Sequence, residues 1–149
     1  MNSFQLGMQF VGLHEWANKA DGQYTNDPAD PGGETKFGIS KRKFPNEDIK
    51  NLTVQRAFEI YQTYYWGAFG LDGIPLPLCV AYFDSYVQHR ETTVKDLIDK
   101  GQGDLQKFLE ARRVFYLSLI DKNPKLIRFK NGWLNRINDL SKYCAIIMQ

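Results

Sequence analysis

Cysteine is scarce. Cys79 and Cys144 stand far apart and without metal-ligand spacing, so at most one disulfide is available. Two thiols in a chain of this size fit a protein made in a reducing cytoplasm. Histidine is scarcer in usable form. His14 and His89 make no local metal box, and after His14-Glu15 come Trp16, Ala17 and Asn18, so the zinc-protease pattern fails at its second His. Charge of one sign is lacking too. A net charge of +2 is too small for the footprint of a nucleic-acid binder. No apolar run reaches the roughly 18 residues a spanning helix needs, and Tyr143 to Met148 is far too short. Met1 to Trp16 has neither the basic start nor the continuous apolar stretch of a secretory signal. Action outside the cytoplasm is therefore expected to need a separate route of release.

What is present suffices for a core. The 149 residues are 43% hydrophobic and 14% aromatic, and a domain of that length buries roughly 70% of the surface its unfolded chain exposes. One domain over 1–149 is expected. Residues 1–75 carry seven Lys/Arg against nine Asp/Glu, whereas 76–149 carry twelve against eight. That asymmetry fits a polyanionic envelope substrate, and many unrelated partners as well.

Phe4, Met8, Val11 and Glu15 repeat at helical spacing, as do Leu6, Phe10, Leu13 and Ala17. They predict a first helix of about four turns with a broad apolar face. Glu15 continues an apolar row, where a carboxylate is costly unless partnered or protonated. From Asn18 to Gly33 the period vanishes into turn formers: Asp21-Gly22, Asn26-Asp27-Pro28, Asp30-Pro31 and Gly32-Gly33. Thr35 to Ser40 can hold a short strand or hairpin arm. Helices follow, one capped by Thr53, one over Leu78 to Gln88, a turn or two at Lys95 to Asp99, one capped by Asp104 running to Asp121, and one from Gly132 to Ile146. Gly67 to Pro77 reads as a connection. The expected class is mainly α, with a long ordered loop and at most a small β-hairpin.

Glycoside hydrolysis needs a carboxylic acid for the leaving oxygen and a second carboxylate to stabilise charge or activate water. Burial against apolar residues keeps such an acid protonated, and Glu15 meets that need better than any other acid here. Asp30, in a rigid turn beside glycines, suits the ionised partner. Tyr24, Asn26 and Lys36 offer an aromatic face and polar groups suited to a hydroxyl-rich ligand. The loop lacks the alternating acids of a calcium-binding EF-hand. Cys79, Trp66 and Trp133 read as packing residues, Arg112 and Arg113 as a solvated charged face. Asp84, apolar on both sides, reads as a buried hydrogen-bonding group or as a residue supporting a site.

Asn26-Asp27-Pro28, Asp30-Pro31-Gly32-Gly33, Thr35 and Gly38-Ile39-Ser40 together resemble the N-terminal signature of glycoside hydrolase family 108. That family comprises phage and prophage N-acetylmuramidases with a lysozyme-like helical fold. The resemblance continues at Asp48 to Thr53 and Tyr64-Tyr65-Trp66, and returns at Arg113 to Tyr116 and Phe129 to Arg136. It implies a signature and active-site half over 1–66 and a helical half over 67–149. Around Asp84 to Asp104 the chain is shorter than relatives whose segment is likened to a peptidoglycan-binding module. The family places Gly-Gly-Tyr directly after its catalytic Glu, whereas Trp16 to Asp21 intervene here. With an insertion Glu15 takes the catalytic position; without one Asp21 does. Leu13-His14-Glu15 resembles the helix end, and an Asp would reach about one methylene less far, so Glu15 is preferred.

The resemblance implies hydrolysis of the β-1,4 bond between N-acetylmuramic acid and N-acetylglucosamine in peptidoglycan. Glu15 would be the acid, Asp30 would act from the other side, and Thr35 would help hold the attacking water, with inversion at the anomeric carbon. It implies neither metal nor organic cofactor, and a monomeric endolysin made in the host cytoplasm and released to the wall through a holin. A lytic transglycosylase and a catalytically inactive wall-binding or secretion-associated relative are the alternatives.

Overall fold

The computed structural model describes residues 1–16, 19 and 21–149. Ala17, Asn18 and Ala20 lie outside the described residues, and with them the end of one apolar row and part of the expected insertion. Six α-helices and one two-stranded antiparallel ribbon follow in the order α1 (Ser3–Glu15), β1 (Thr35–Lys36), β2 (Ile39–Ser40), α2 (Val54–Tyr61), α3 (Leu78–Gln88), α4 (Glu91–Gly101), α5 (Leu105–Lys122) and α6 (Lys130–Ile147). The mainly α expectation holds.

Helix ends follow local chemistry. Asn2 and Gln5 close a capping box on α1. Thr53 Oγ1 accepts from Arg56 N to start α2, and Asp104 Oδ1 accepts from Lys107 N to start α5. The segment expected to hold a turn or two at Lys95 to Asp99 is a full helix, α4. Its sequence lacks a side-chain cap, so its start carried no local signal, and burial of Val94 and Leu97 supplies its stability instead. The expected connection from Gly67 holds two short 3-10 turns, Gly67–Phe69 and Leu71–Gly73.

Helix α3 is apolar nearly all round, and Cys79 to Tyr86 are all buried. A helix of that kind must be surrounded, and α1, α4 and α6 pack against it. Gly7 lets α1 come close, since a methyl group there would sit 2.8 Å from the Phe83 ring. Cys79 and Cys144 are buried free thiols, so the one available bridge is not formed.

The ribbon pairs Thr35 with Ser40 and Lys36 with Ile39. Phe37 and Gly38 turn it with φ of 51° and 74°, the two left-handed positions of a tight hairpin turn. A phenylalanine is rarely found there. Its backbone is tied on both sides: Phe37 N donates to Gly22 O at 2.8 Å, and the Tyr61 hydroxyl donates to Phe37 O at 2.8 Å. The loop before the ribbon joins it through paired backbone bonds between Thr25 and Thr35.

Gly38 sits where no side chain fits. A methyl group would overlap the Tyr61 hydroxyl and lie 3.3 Å from Glu15 Oε2. Gly38→Ala is expected to cost about 1–3 kcal/mol, from left-handed backbone plus overlap. Urea unfolding measures it, and a change below a few tenths would mean that the turn is not packed as described.

Candidate active site

Glu15 is the last residue of α1, and its side chain is 20% exposed. The two carboxylate oxygens differ. Oε1 accepts from Gln88 Nε2 at 2.7 Å and from Arg136 Nη1 at 3.1 Å. Oε2 faces Gly38 at the hairpin tip, and no protein donor reaches it among the described residues. Apolar neighbours were expected to isolate this acid. Instead an amide from the end of α3 and a guanidinium from α6 hold one of its oxygens, because the apolar row of α1 ends where those two helices converge.

Arg136 is itself clamped. Its Nε and Nη2 donate to Asp84 Oδ1 at 3.1 and 2.7 Å, leaving Nη1 for Glu15. Asp84 Oδ2 accepts from Arg112 Nη1 at 2.7 Å. Asp84 and Arg112 are both fully buried. Burial alone would raise the Asp84 carboxyl, but Arg112 and Arg136 outweigh it and hold the group below the usual carboxylate range. Arg112 therefore does not belong to a solvated face. It is the inner counter-ion of Asp84, while Arg113 beside it is part-exposed and reaches Asn138.

The network ends at Tyr116. Its hydroxyl accepts from Arg112 Nε and Nη2 at 3.3 and 3.2 Å and lies 2.7 Å from His89 Nε2. With both lone pairs taken, the hydroxyl donates to the ring nitrogen, which fixes His89 as neutral. Burial first, then the charge of Arg112, push His89 down to about 4.

The hairpin side supplies the other candidates. Asp30 is exposed, and its Oδ1 accepts from Gly32 N at 2.8 Å, the pinned turn expected from Asp-Pro-Gly-Gly. A side chain at Gly32 would lie 3.2 Å from Asp30 Oδ1 and 3.9 Å from Ser40 Cβ. Ser40 ends the strand whose first residue, Ile39, follows Gly38, the turn residue beside Glu15. The ribbon thus links the neighbourhoods of the two acids. Thr35 lies in the middle of that ribbon, paired with Ser40 on one side and Thr25 on the other.

The three sugar-contact candidates differ in freedom. The Tyr24 hydroxyl donates to Glu34 Oε1 at 2.7 Å, and this bond, more than its burial, raises the phenol above its ordinary value. Lys36 Nζ donates to Lys50 O at 3.0 Å. Asn26 is exposed in the loop. Asp21 is exposed as well, its Oδ1 accepting from Gln23 N at 3.0 Å.

Tyr61 and Tyr65 complete the wall beside Glu15. Burial raises both phenols, and the Glu15 charge adds to it; Tyr65 is pushed up to about 12. They stay neutral there. A groove of about 370 Å³ is lined elsewhere, by Lys43, Phe44, Pro45, Asn46, Glu47 and Tyr64. Glu15 is not among the residues that line it.

No group of three or more His, Cys, Asp or Glu side chains that could hold a metal occurs among the described residues. Gln88, Arg136 and Asp84 are the site residues that motif reasoning missed as a group. The signal for them was thin: one acid inside an apolar helix, and one arginine in the Phe129 to Arg136 block.

His89 gives the network a pH signature. Its folded value of about 4 lies below the ordinary 6.5. Its contribution is therefore complete above pH 6.5 and is lost as pH falls toward 4. The loss amounts to about 3 kcal/mol at ~1.4 kcal/mol per unit. Urea unfolding from pH 7 to 4 should show that decline, and His89→Gln, which can still accept from Tyr116, should flatten it. An unchanged slope in the variant would refute the assignment.

No curated protein matches this chain. Among solved structures, SagA of Brucella abortus is similar, with 21% identity, a TM-score of 0.74, and coverage of 96% of this chain and 94% of that one. At that identity the likeness concerns the fold. The glycosyl hydrolase 108 family matches residues 14–89, from the turn that carries Glu15 through the hairpin to His89 at the end of the network. With over half its length matched, including the turn, the ribbon and α3, the chain belongs to the glycosyl hydrolase 108 family.

Proposed function

We propose that this protein hydrolyses the β-1,4 bond between N-acetylmuramic acid and N-acetylglucosamine in bacterial peptidoglycan. Family membership supports the general statement, a glycosidase that degrades peptidoglycan; the bond and the residue roles are our reading. The observation that carries it is the asymmetry of Glu15: one oxygen held by Gln88 and Arg136, the other beside Gly38 of the hairpin with no protein donor among the described residues. Asp21, the alternative acid, is engaged in a local turn and makes neither contact.

In this reading Glu15 enters protonated and gives its proton to the glycosidic oxygen. The bond from that oxygen to the anomeric carbon breaks, its electron pair staying on the oxygen. A water held by Thr35 bonds to the anomeric carbon from the opposite face, and its proton passes to Asp30. Inversion follows, provided the carboxyls stand ~6.5–9.5 Å apart with substrate bound. Tyr24, Asn26 and Lys36 would contact sugar, with Tyr24 and Lys36 exchanging their present partners to do so.

The biological setting is a further part of the proposal: a monomeric phage endolysin, made in the host cytoplasm and reaching the wall through a holin. No helix among the described residues is long and apolar enough to cross a membrane.

Glu15→Gln should lower the rate of turbidity loss of outer-membrane-permeabilised cells by at least ~10²-fold, the scale of a positioned general acid, while Asp21→Asn stays near wild type. The reverse pattern would transfer the acid role to Asp21. Mass spectrometry of the muropeptides should show products carrying the added water. Products lighter by one water would make the enzyme a lytic transglycosylase, and wild-type protein without products would make it a binding relative.

A further inference from the structure

We infer that Arg136, anchored by Asp84, is a positioning residue for Glu15 that takes up the negative charge left when Glu15 gives its proton away. The inference rests on the reading of Glu15 as the acid, and adds a role that neither the family match nor the fold likeness assigns.

The geometry separates two functions within one guanidinium. Nε and Nη2 are committed to Asp84 Oδ1, and only Nη1 points to Glu15. A side chain fixed at two of its three nitrogens cannot swing away, so the third meets Glu15 Oε1 at a fixed place. Asp84 is immobile in turn, because its second oxygen is held by the fully buried Arg112. Arg112 is bonded to Ser85 and Tyr116. The chain of contacts therefore runs from the interior to one oxygen of one surface acid.

Charge explains why such a support is useful. A protonated Glu15 gains little from Arg136, whereas the carboxylate it becomes gains a charge-assisted hydrogen bond. The contact strengthens as the proton leaves, so it favours the transition state over the bound substrate. Gln88 donates to the same oxygen and adds geometry without charge. With Oε1 doubly held, the proton is assigned to Oε2, the oxygen beside Gly38.

The other groups around Glu15 do not duplicate this role. Tyr61 and Tyr65, from α2 and the turn after it, are held neutral. From its own helix, His14 turns away to Asp139. On the hairpin, Lys36 Nζ is tied to Lys50 O. Asp84, from α3, reaches Glu15 only through Arg136.

The test compares Arg136→Met with Gln88→Leu in the full-length protein, using kcat/KM against pH and a ¹³C NMR titration of the Glu15 side-chain carboxyl. Arg136→Met leaves Asp84 paired with Arg112, and circular dichroism and urea unfolding check its fold. In Arg136→Met the alkaline limb of kcat/KM and the carboxyl titration should both move upward, the direction set by losing an adjacent opposite charge. kcat should fall at least ~10-fold with KM little changed. Gln88→Leu should lower kcat while moving both curves less than Arg136→Met does, because it removes a hydrogen bond but no charge. Arg136→Lys, which keeps a charge without the fork, should restore the curves more than kcat. A folded Arg136→Met whose two curves coincide with wild type overturns the inference, whatever its rate. If Glu15→Gln is fully active, the acid assignment itself is wrong; if it is inactive and the Arg136 curves are unmoved, only this inference fails.

Discussion

Asp84 carries a full negative charge at zero exposure, and much of the structure is arranged around that fact. A bare carboxylate in a protein interior is prohibitively costly, and one partner rarely repays the loss of water. Here two guanidiniums divide its oxygens, Arg112 from α5 and Arg136 from α6. Asp84 lies on α3, the helix surrounded by the others. One side chain therefore ties three helices together, and the loss of either arginine would leave one Asp84 oxygen without its partner. Ion pairs of this kind are weak evidence for net stability, and their better-attested use is to specify one arrangement among several. Specifying an arrangement is what the acid proposed at Glu15 needs.

The same network has an inner and an outer end. At the inner end Tyr116 and a neutral His89 satisfy Arg112 without adding charge, and Tyr116 stacks on Trp133 at 4.8 Å. At the outer end Arg136 meets Glu15, itself only part-exposed. Acidic and basic side chains alternate along the row from Glu15 through Arg136 and Asp84 to Arg112. Removing any inner member would be felt at the surface.

The hairpin is the complementary half. Its tip is held by Tyr61 and Trp16, the latter edge-on to Phe37 at 5.4 Å between ring centres. Its other end is held by the loop, with Arg42 N donating to Gly32 O at 3.1 Å and Lys41 N to Glu34 O at 2.8 Å. A two-stranded ribbon alone is marginal in water. Clamped at both ends it becomes a short rigid spacer between the Glu15 side and the Asp30 side. Glycine is required at Gly38 for two independent reasons, the left-handed backbone and the closeness of Glu15 and Tyr61.

Much of this was legible from residue order, because the signals are local. Helical spacing places Phe4, Met8, Val11 and Glu15 on one row. Thr53 and Asp104 cap their helices through atoms three residues away, and Asp30 bonds Gly32 within its own turn. The Asn-Asp-Pro and Asp-Pro-Gly-Gly turns, the short ribbon and the mainly α class follow from chemistry within a few residues, whereas the lysozyme-like fold came from the family resemblance. Arg112 could not be read correctly that way. An arginine beside another arginine on a polar-looking helix is indistinguishable from a solvated one until Asp84, distant in sequence, is seen to face it. Gln88 and Arg136 reach Glu15 only because α1, α3 and α6 converge. The sequence by itself determined most of the elements, the caps at Thr53 and Asp104 and the placing of Glu15 at the end of the first helix, but not the full extent of α4. Which donors meet that acid, and which of its oxygens stays free, was decided only by packing, since long-range pairing of charges depends on helix placement that no local pattern encodes.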